Sequence, residues 1–245
     1  MSAASQGSNV NENHQHEAAK PKQWGVVGGT FWGFVTFFLP QYALIPFIGV
    51  FEALPFDRNA KLFMLQGISE LATVFLLWLI LKKLYRVDLR SIGLGKIDPG
   101  LLGWSVLAFP FYLIITTFFS NLVAQIFGVD LTQQQDIGYS NPNGYELTLT
   151  FIALVMLAPF VEETLFRGFL FKAFRRTFGF WLGAIVVSLL FAVAHGQANV
   201  GIDVFVLSMF LCYLREKTDS LWPSIALHAL KNLVAFIFLF IMKVN

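Results

Sequence analysis

Seven residues carry the chemistry this sequence offers: Glu162, Glu163, Arg167, Phe191, His195, His228 and Asn232, each set inside or at the edge of a strongly apolar segment. An ionisable group within a bilayer is penalised by at least a few kcal/mol, so a recurrence of such groups at similar depth marks a functional site whose partners must be named. A carboxylate and an imidazole flanking a water can remove its proton. A second imidazole and a carboxamide can donate hydrogen bonds to the oxyanion that forms on an attacked carbonyl. Together these are the parts for hydrolysing an amide without a covalent intermediate. A serine or cysteine nucleophile fits less well, because Cys212 lies in an apolar block and no serine stands in a triad pattern. Glu162, His195 and His228 could instead hold zinc, although the His-Glu-x-x-His helix signature is absent.

Spacing decides which of these groups can meet. On a helix Glu162 and Glu163 point about 100° apart, while Glu163 and Arg167 share a face four residues apart. Pairing Glu163 with Arg167 lessens the cost of burying both charges and leaves Glu162 free to face another helix. The same spacing also suits a purely structural ion network. Phe191 and His195 share one face, and His228 and Asn232 share another; each alone could merely bridge helices. At a rise of about 1.5 Å per residue, Glu162 falls roughly 20 Å from Arg175 and His195 roughly 24 Å from the helix start near Gly179. His228 and Asn232 fall roughly 16 and 22 Å beyond Lys217. The four can therefore share one layer.

The elements that must hold them are membrane helices. Of 245 residues 56% are hydrophobic and 13% charged, with mean hydropathy +0.66, where an average soluble domain carries about 25% charged residues. The apolar blocks run to roughly 15–27 residues, the length of bilayer-spanning helices. The expectation is an all-α, polytopic transmembrane helix bundle of about seven spans, with helices at 24–50, 62–82, 101–127, 148–174, 179–195, 200–214 and 221–242. Pro40 and Pro46 can break the first, and Gly25, Gly29 and Gly33 permit close helix approach in it. Residues 1–23, including His14 and His16, read as a disordered polar tail. The first apolar block reads as a retained span and not a signal peptide. Residues 24–245 read as a single transmembrane domain, with the chemistry at about 148–235.

Lys and Arg alternate between the gaps. Arg58 and Lys61 are followed by Lys82, Lys83, Arg86, Arg90 and Lys96, then by none in 128–147, Lys172, Arg175 and Arg176, none in 196–199, and Arg215 and Lys217. Retention of positive residues in the cytoplasm predicts a multi-pass cell-membrane protein with a cytoplasmic amino terminus and an external carboxyl terminus. The stretch 128–147 is then an external loop, and no chemistry is legible in it. A formal charge of +2, its basic residues lying in loops beside the apolar blocks, does not support a nucleic-acid partner, and none is expected. Cys212 has no second cysteine to pair with. Other polar residues in the apolar blocks are Gln66, Glu70, Asn121, Gln125 and Lys231. Glu70 is read as a helix-to-helix hydrogen-bonding group that could also pair with Lys231 or line a cavity, and Asp203 as a helix start.

Glu162-Glu163-x-x-x-Arg167, Phe191-x-x-x-His195 and His228-x-x-x-Asn232, in that order, resemble the three motifs of the CPBP intramembrane endopeptidases, the CAAX protease and bacteriocin-processing family also called Abi. The resemblance covers roughly residues 148–235. It implies a glutamate-type, metal-independent hydrolase without a cofactor, in an all-helical membrane fold. By position, Glu162 and His195 would activate the water, and His228 and Asn232 would bind the oxyanion. Glu163, Arg167 and Phe191 would support them. The implied partner is a hydrophobic, lipid-anchored or otherwise membrane-associated peptide, cut in peptide maturation or bacteriocin immunity. The alternatives are a non-enzymatic membrane scaffold or immunity protein that binds a peptide or partner, and an ion-coupled transporter.

Overall fold

The computed structural model describes residues 22–133, 135 and 137–242; the expected disordered tail up to residue 21, with His14 and His16, lies outside them. The protein is an all-helical polytopic bundle. Among the described residues six helices are long and apolar enough to cross a membrane: α1 (Val26–Glu52), α2 (Arg58–Tyr85), α3 (Pro99–Phe127), α4 (Tyr145–Ala194), α5 (Ala198–Thr218) and α6 (Trp222–Ile241).

Two of the seven expected segments fall within α4, whose 50 residues are interrupted at Gly179, with φ 76° and ψ −177°. The left-handed φ is one that glycine adopts without steric cost. The two arms fold back on each other: Phe166 and Phe191, nearly equidistant from the turn, have ring centroids 5.0 Å apart. A Cβ on Gly183 would come within 2.9 Å of the Arg175 backbone nitrogen, so the arms touch main chain to main chain. The expected loop between segments four and five is thus a glycine hinge.

Local chemistry explains the other boundaries. Asp98 caps α3 through Gly100 N at 2.9 Å with Pro99 in the first turn, and Gly128 ends it with φ 68°. Pro40 is carried inside the regular part of α1, and the break comes after Ala43, in a 3-10 turn Ile45–Phe47 that contains Pro46.

The first arm of α4 is the centre of the bundle. From Glu163 to Phe171 every residue is buried, including Glu163, Thr164 and Arg167 at 0% exposure. A helix surrounded by others can carry polar groups that no lipid-facing helix would tolerate. Around it, Trp24 donates its indole N–H to the Phe169 carbonyl at 3.0 Å, and α1 approaches through Gly29 and Gly33. A Cβ on Gly29 would lie 2.7 Å from Ala173 Cβ, and one on Gly33 2.4 Å from Leu170 Cδ2, whereas Gly25 faces open space.

Candidate active site

Glu162 and Glu163 stand where α4 passes from regular helix (Ala158–Glu163) into a π-helical stretch, Thr164–Leu170. Such wide turns occur mostly as local distortions and often at functional sites. Glu163 points into the core, where its Oε1 accepts from Arg167 Nη1 at 2.7 Å and from His228 Nδ1 at 3.0 Å. Glu162, on the neighbouring face, is 29% exposed, and its Oε2 lies 3.8 Å from His228 Nε2. His228 of α6 therefore lies between the two carboxylates, hydrogen-bonded to one and approached by the other.

His195 closes the second arm of α4. Its Nδ1 lies 2.8 Å from the Phe191 carbonyl. A carbonyl only accepts, so Nδ1 carries a proton, and Nε2 is the ring nitrogen left free of that bond. Phe191, 1% exposed, locks the assembly. Its ring meets those of His195 and His228 edge-on, at 4.7 and 5.7 Å, and the Arg167 guanidinium lies 4.3 Å from its centroid.

Asn232, one turn beyond His228 on α6, donates from Nδ2 to the Leu154 carbonyl at 2.8 Å. That carbonyl belongs to a second π-helical stretch, Ile152–Leu157. Its i+5 partner would be the nitrogen of Pro159, which has no hydrogen to give. The proline thus frees a backbone acceptor, and Asn232 takes it with one of its two N–H bonds.

Glu162, His195, His228 and Asn232 all line one cavity of about 510 Å³. Glu163, Arg167 and Phe191 sit behind its wall. The cavity also takes in Gln66 of α2, read from the sequence only as a buried polar group, and residues given no role there: Gln41 of α1, and Gln135 and Ile137 of the segment after α3. That segment, read as a loop without chemistry, is pinned against the cavity. Tyr139, 7% exposed, donates to Gln66 Oε1 at 2.8 Å. Asn59 exchanges two bonds with Ser140, and Asn199 bonds the Gln133 carbonyl at 2.6 Å. Partial burial pushes the Tyr139 hydroxyl pKa upward, with the Glu70 charge adding to the shift. Its short polar run Gln133–Gln135 was the one legible signal.

Three smaller readings are corrected. Lys231 does not pair with Glu70; its Nζ lies 3.5 Å from Asp203 Oδ2. Asp203 is not a helix-start marker, since Tyr112 and Thr116 of α3 donate to its Oδ1 at 2.6 and 2.8 Å. It ties α3, α5 and α6 together beside the cavity. Glu70 bonds within its own helix, accepting from Gln66 at 2.7 Å. Cys212 is a free, fully buried core residue, as expected.

Comparison with known proteins bears on the same region. Residues 144–234 match the type II CAAX prenyl endopeptidase Rce1-like family. All seven residues of the three motifs fall within that interval, and over it the resemblance carried by the motifs is borne out. An uncharacterized 24.3 kDa protein of Escherichia coli is 34% identical over 88 residues, which cover 34% of this chain and 41% of the relative. The match thus spans about two-fifths of that curated relative's length. No solved structure matches. With its apolar helices, the chain is a multi-pass membrane protein.

Proposed function

We propose that the protein is an intramembrane endopeptidase that hydrolyses a peptide bond in a hydrophobic or lipid-anchored peptide, using water activated by glutamate and histidine without a metal. The observation that carries this reading is the meeting of Glu162, His195, His228 and Asn232, from three helical segments, around one polar cavity. Its volume of about 510 Å³ is in the range of pockets that bury a ligand, room for a water and a few residues of extended peptide. The family match over 144–234 supports a CAAX-type protease in general terms.

In this mechanism a water sits between Glu162 and Nε2 of His195. Glu162 accepts its proton as the oxygen attacks the scissile carbonyl. The oxyanion is met by the second N–H of Asn232, with the His228 ring beside it. Glu163 holds Nδ1 of that ring and so sets its orientation, and Arg167 holds Glu163. The Glu162 carboxyl then returns the proton to the departing amine, and the carbon–nitrogen bond breaks.

The cavity is lined in part by Gln135 and Ile137, which belong to a stretch, 128–147, without Lys or Arg. With the basic end and the amino terminus in the cytoplasm, substrate would reach the site from the membrane or from the opposite side. Reporter fusions to the 128–147 segment and to the 86–98 segment test that orientation. The activity is tested by incubating the purified full chain, in detergent, with a prenylated peptide ending in a CAAX sequence and with an unmodified hydrophobic peptide. Cleavage is followed by mass spectrometry. Cleavage that disappears in Glu162→Gln, His195→Ala and His228→Ala supports the proposal; variants that all keep wild-type cleavage would refute it. Binding of the peptides without hydrolysis by the native chain would instead favour a scaffold or immunity protein.

A further inference from the structure

A second polar cavity, of about 340 Å³, lies on the far side of Arg167, at the basic end of the bundle. Five cations line it, Arg167, Lys172, Arg175, Arg176 and Arg215, against two carboxylates, Glu216 and Asp219. The carboxylates are already engaged. Arg175 clasps Glu216 through Nε and Nη2, at 2.9 and 2.6 Å, and Arg215 Nη1 holds Asp219 at 2.7 Å. Arg167 is balanced from its other side by Glu163. Lys172 and Arg176 are left over: among the described residues neither has a carboxylate within ion-pair distance.

Buried donors point the same way. Arg167, at 0% exposure, has no hydrogen-bond partner for Nε or Nη2, and Arg215, at 7%, has none for Nε. The thiol of Cys212 beside Arg167 is at best a weak acceptor. Charged donors shielded from water and left unpaired are expensive, and their persistence at one cavity calls for an acceptor.

The walls hold these cations in place. Gly93, with φ 103°, lets the Arg215 guanidinium lie against the loop backbone, where a Cβ would come within 3.0 Å of its Cζ. Lys172 donates to the Ser91 carbonyl. Lys172 Nζ and Arg176 Cζ both lie over the Trp24 ring, at 5.3 and 5.7 Å from its centroid. Tryptophan and basic side chains at a helix start are placed at headgroup level in a bilayer.

We propose that this cavity binds a phosphate-bearing anion, supplied by a lipid headgroup or by free phosphate. Several guanidinium N–H groups and an ammonium converging from different helices suit an acceptor with three or more oxygens. Two uncompensated positive charges suit its anionic charge. The site shares only Arg167 with the support of the proposed peptidase centre, and its test does not depend on peptide hydrolysis.

The full chain, purified in neutral detergent, is titrated with sodium phosphate against sodium chloride at equal ionic strength, and separately with micelles containing phosphatidylglycerol or phosphatidylcholine. Binding is read from tryptophan fluorescence, since Trp24 underlies two of the cations, and from native mass spectrometry. Saturable binding of phosphate over chloride, or of phosphatidylglycerol over phosphatidylcholine, is expected. The first result alone assigns a free anion and the second a headgroup. Lys172→Gln/Arg176→Gln should weaken whichever is bound by about tenfold or more, as loss of two charge-assisted contacts requires. Where that pair of changes prevents folding, Arg176→Gln alone serves, with a smaller loss. No preference for either phosphate-bearing probe, or affinity unchanged in a folded variant, would overturn the assignment.

Discussion

Adjacent carboxylates in this protein should fail in opposite ways when neutralised. Glu163 is fully buried and holds Arg167 at 2.7 Å and His228 at 3.0 Å. Glu163→Gln keeps an acceptor for His228 Nδ1 but strands the Arg167 guanidinium, itself fully buried. Breaking one side of a buried ion pair costs about 3–5 kcal/mol, which for a chain of this size corresponds to a fall in unfolding temperature of roughly 10 °C. Glu162 is 29% exposed, and His228 Nε2 stands 3.8 Å from its carboxylate, beyond hydrogen-bond length. Glu162→Gln, at a half-buried carboxylate with no hydrogen bond to lose, should change stability by less than about 1 kcal/mol. It should nevertheless lower peptide cleavage by about 10²–10⁴-fold, the loss of a positioned general base. Both variants are purified in detergent, unfolded thermally with intrinsic fluorescence as the probe, and assayed for cleavage on the same day. Adding Arg167→Met to Glu163→Gln should cost less than the sum of the single changes, by about 1–3 kcal/mol, because the stranded charge is removed. A Glu162 variant that unfolds as early as the Glu163 variant, or a Glu163 variant of wild-type stability, would refute the division of labour between the two.

Asn232→Ala removes both the cap on the Leu154 carbonyl and a proposed oxyanion donor; cleavage should fall about 10²–10³-fold in kcat, with little change in KM, by steady-state kinetics. Treatment with a chelator such as EDTA should leave cleavage within error of the untreated enzyme; a loss restored by zinc would replace the proposed mechanism with a metal-ligated one. Gly29→Ala should destabilise by about 1–3 kcal/mol, since its Cβ would meet Ala173 Cβ at 2.7 Å, whereas Gly25→Ala, facing open space, should be silent in the same thermal assay.

The sequence by itself determined the class of fold and the membership of the polar cluster. Long apolar blocks admit only helices in a bilayer, because backbone groups there must be satisfied within the segment. The i,i+4 spacings then told which side chains share a face: Glu163 with Arg167, Phe191 with His195, His228 with Asn232. These are properties of one helix at a time and need no knowledge of its neighbours. The cost of burying charge marked the same residues as belonging together before any of them was seen to meet.

What neighbours do was decided only in three dimensions. Spacing could not tell that His228 would stand between the two glutamates, that Phe191 would lie against both imidazoles and the guanidinium, or that Asn232 would be held by a carbonyl that Pro159 frees. It misplaced Asp203 and Lys231 because each is paired with a residue of another helix. It read the segment after α3 as empty of chemistry because an irregular backbone has no period; Gln135 and Ile137 reach the cavity, and Tyr139 the Gln66 that lines it, only by tertiary packing and hydrogen bonding. Periodicity reports which side of a helix is polar; which groups that side finally meets is set by how the helices pack.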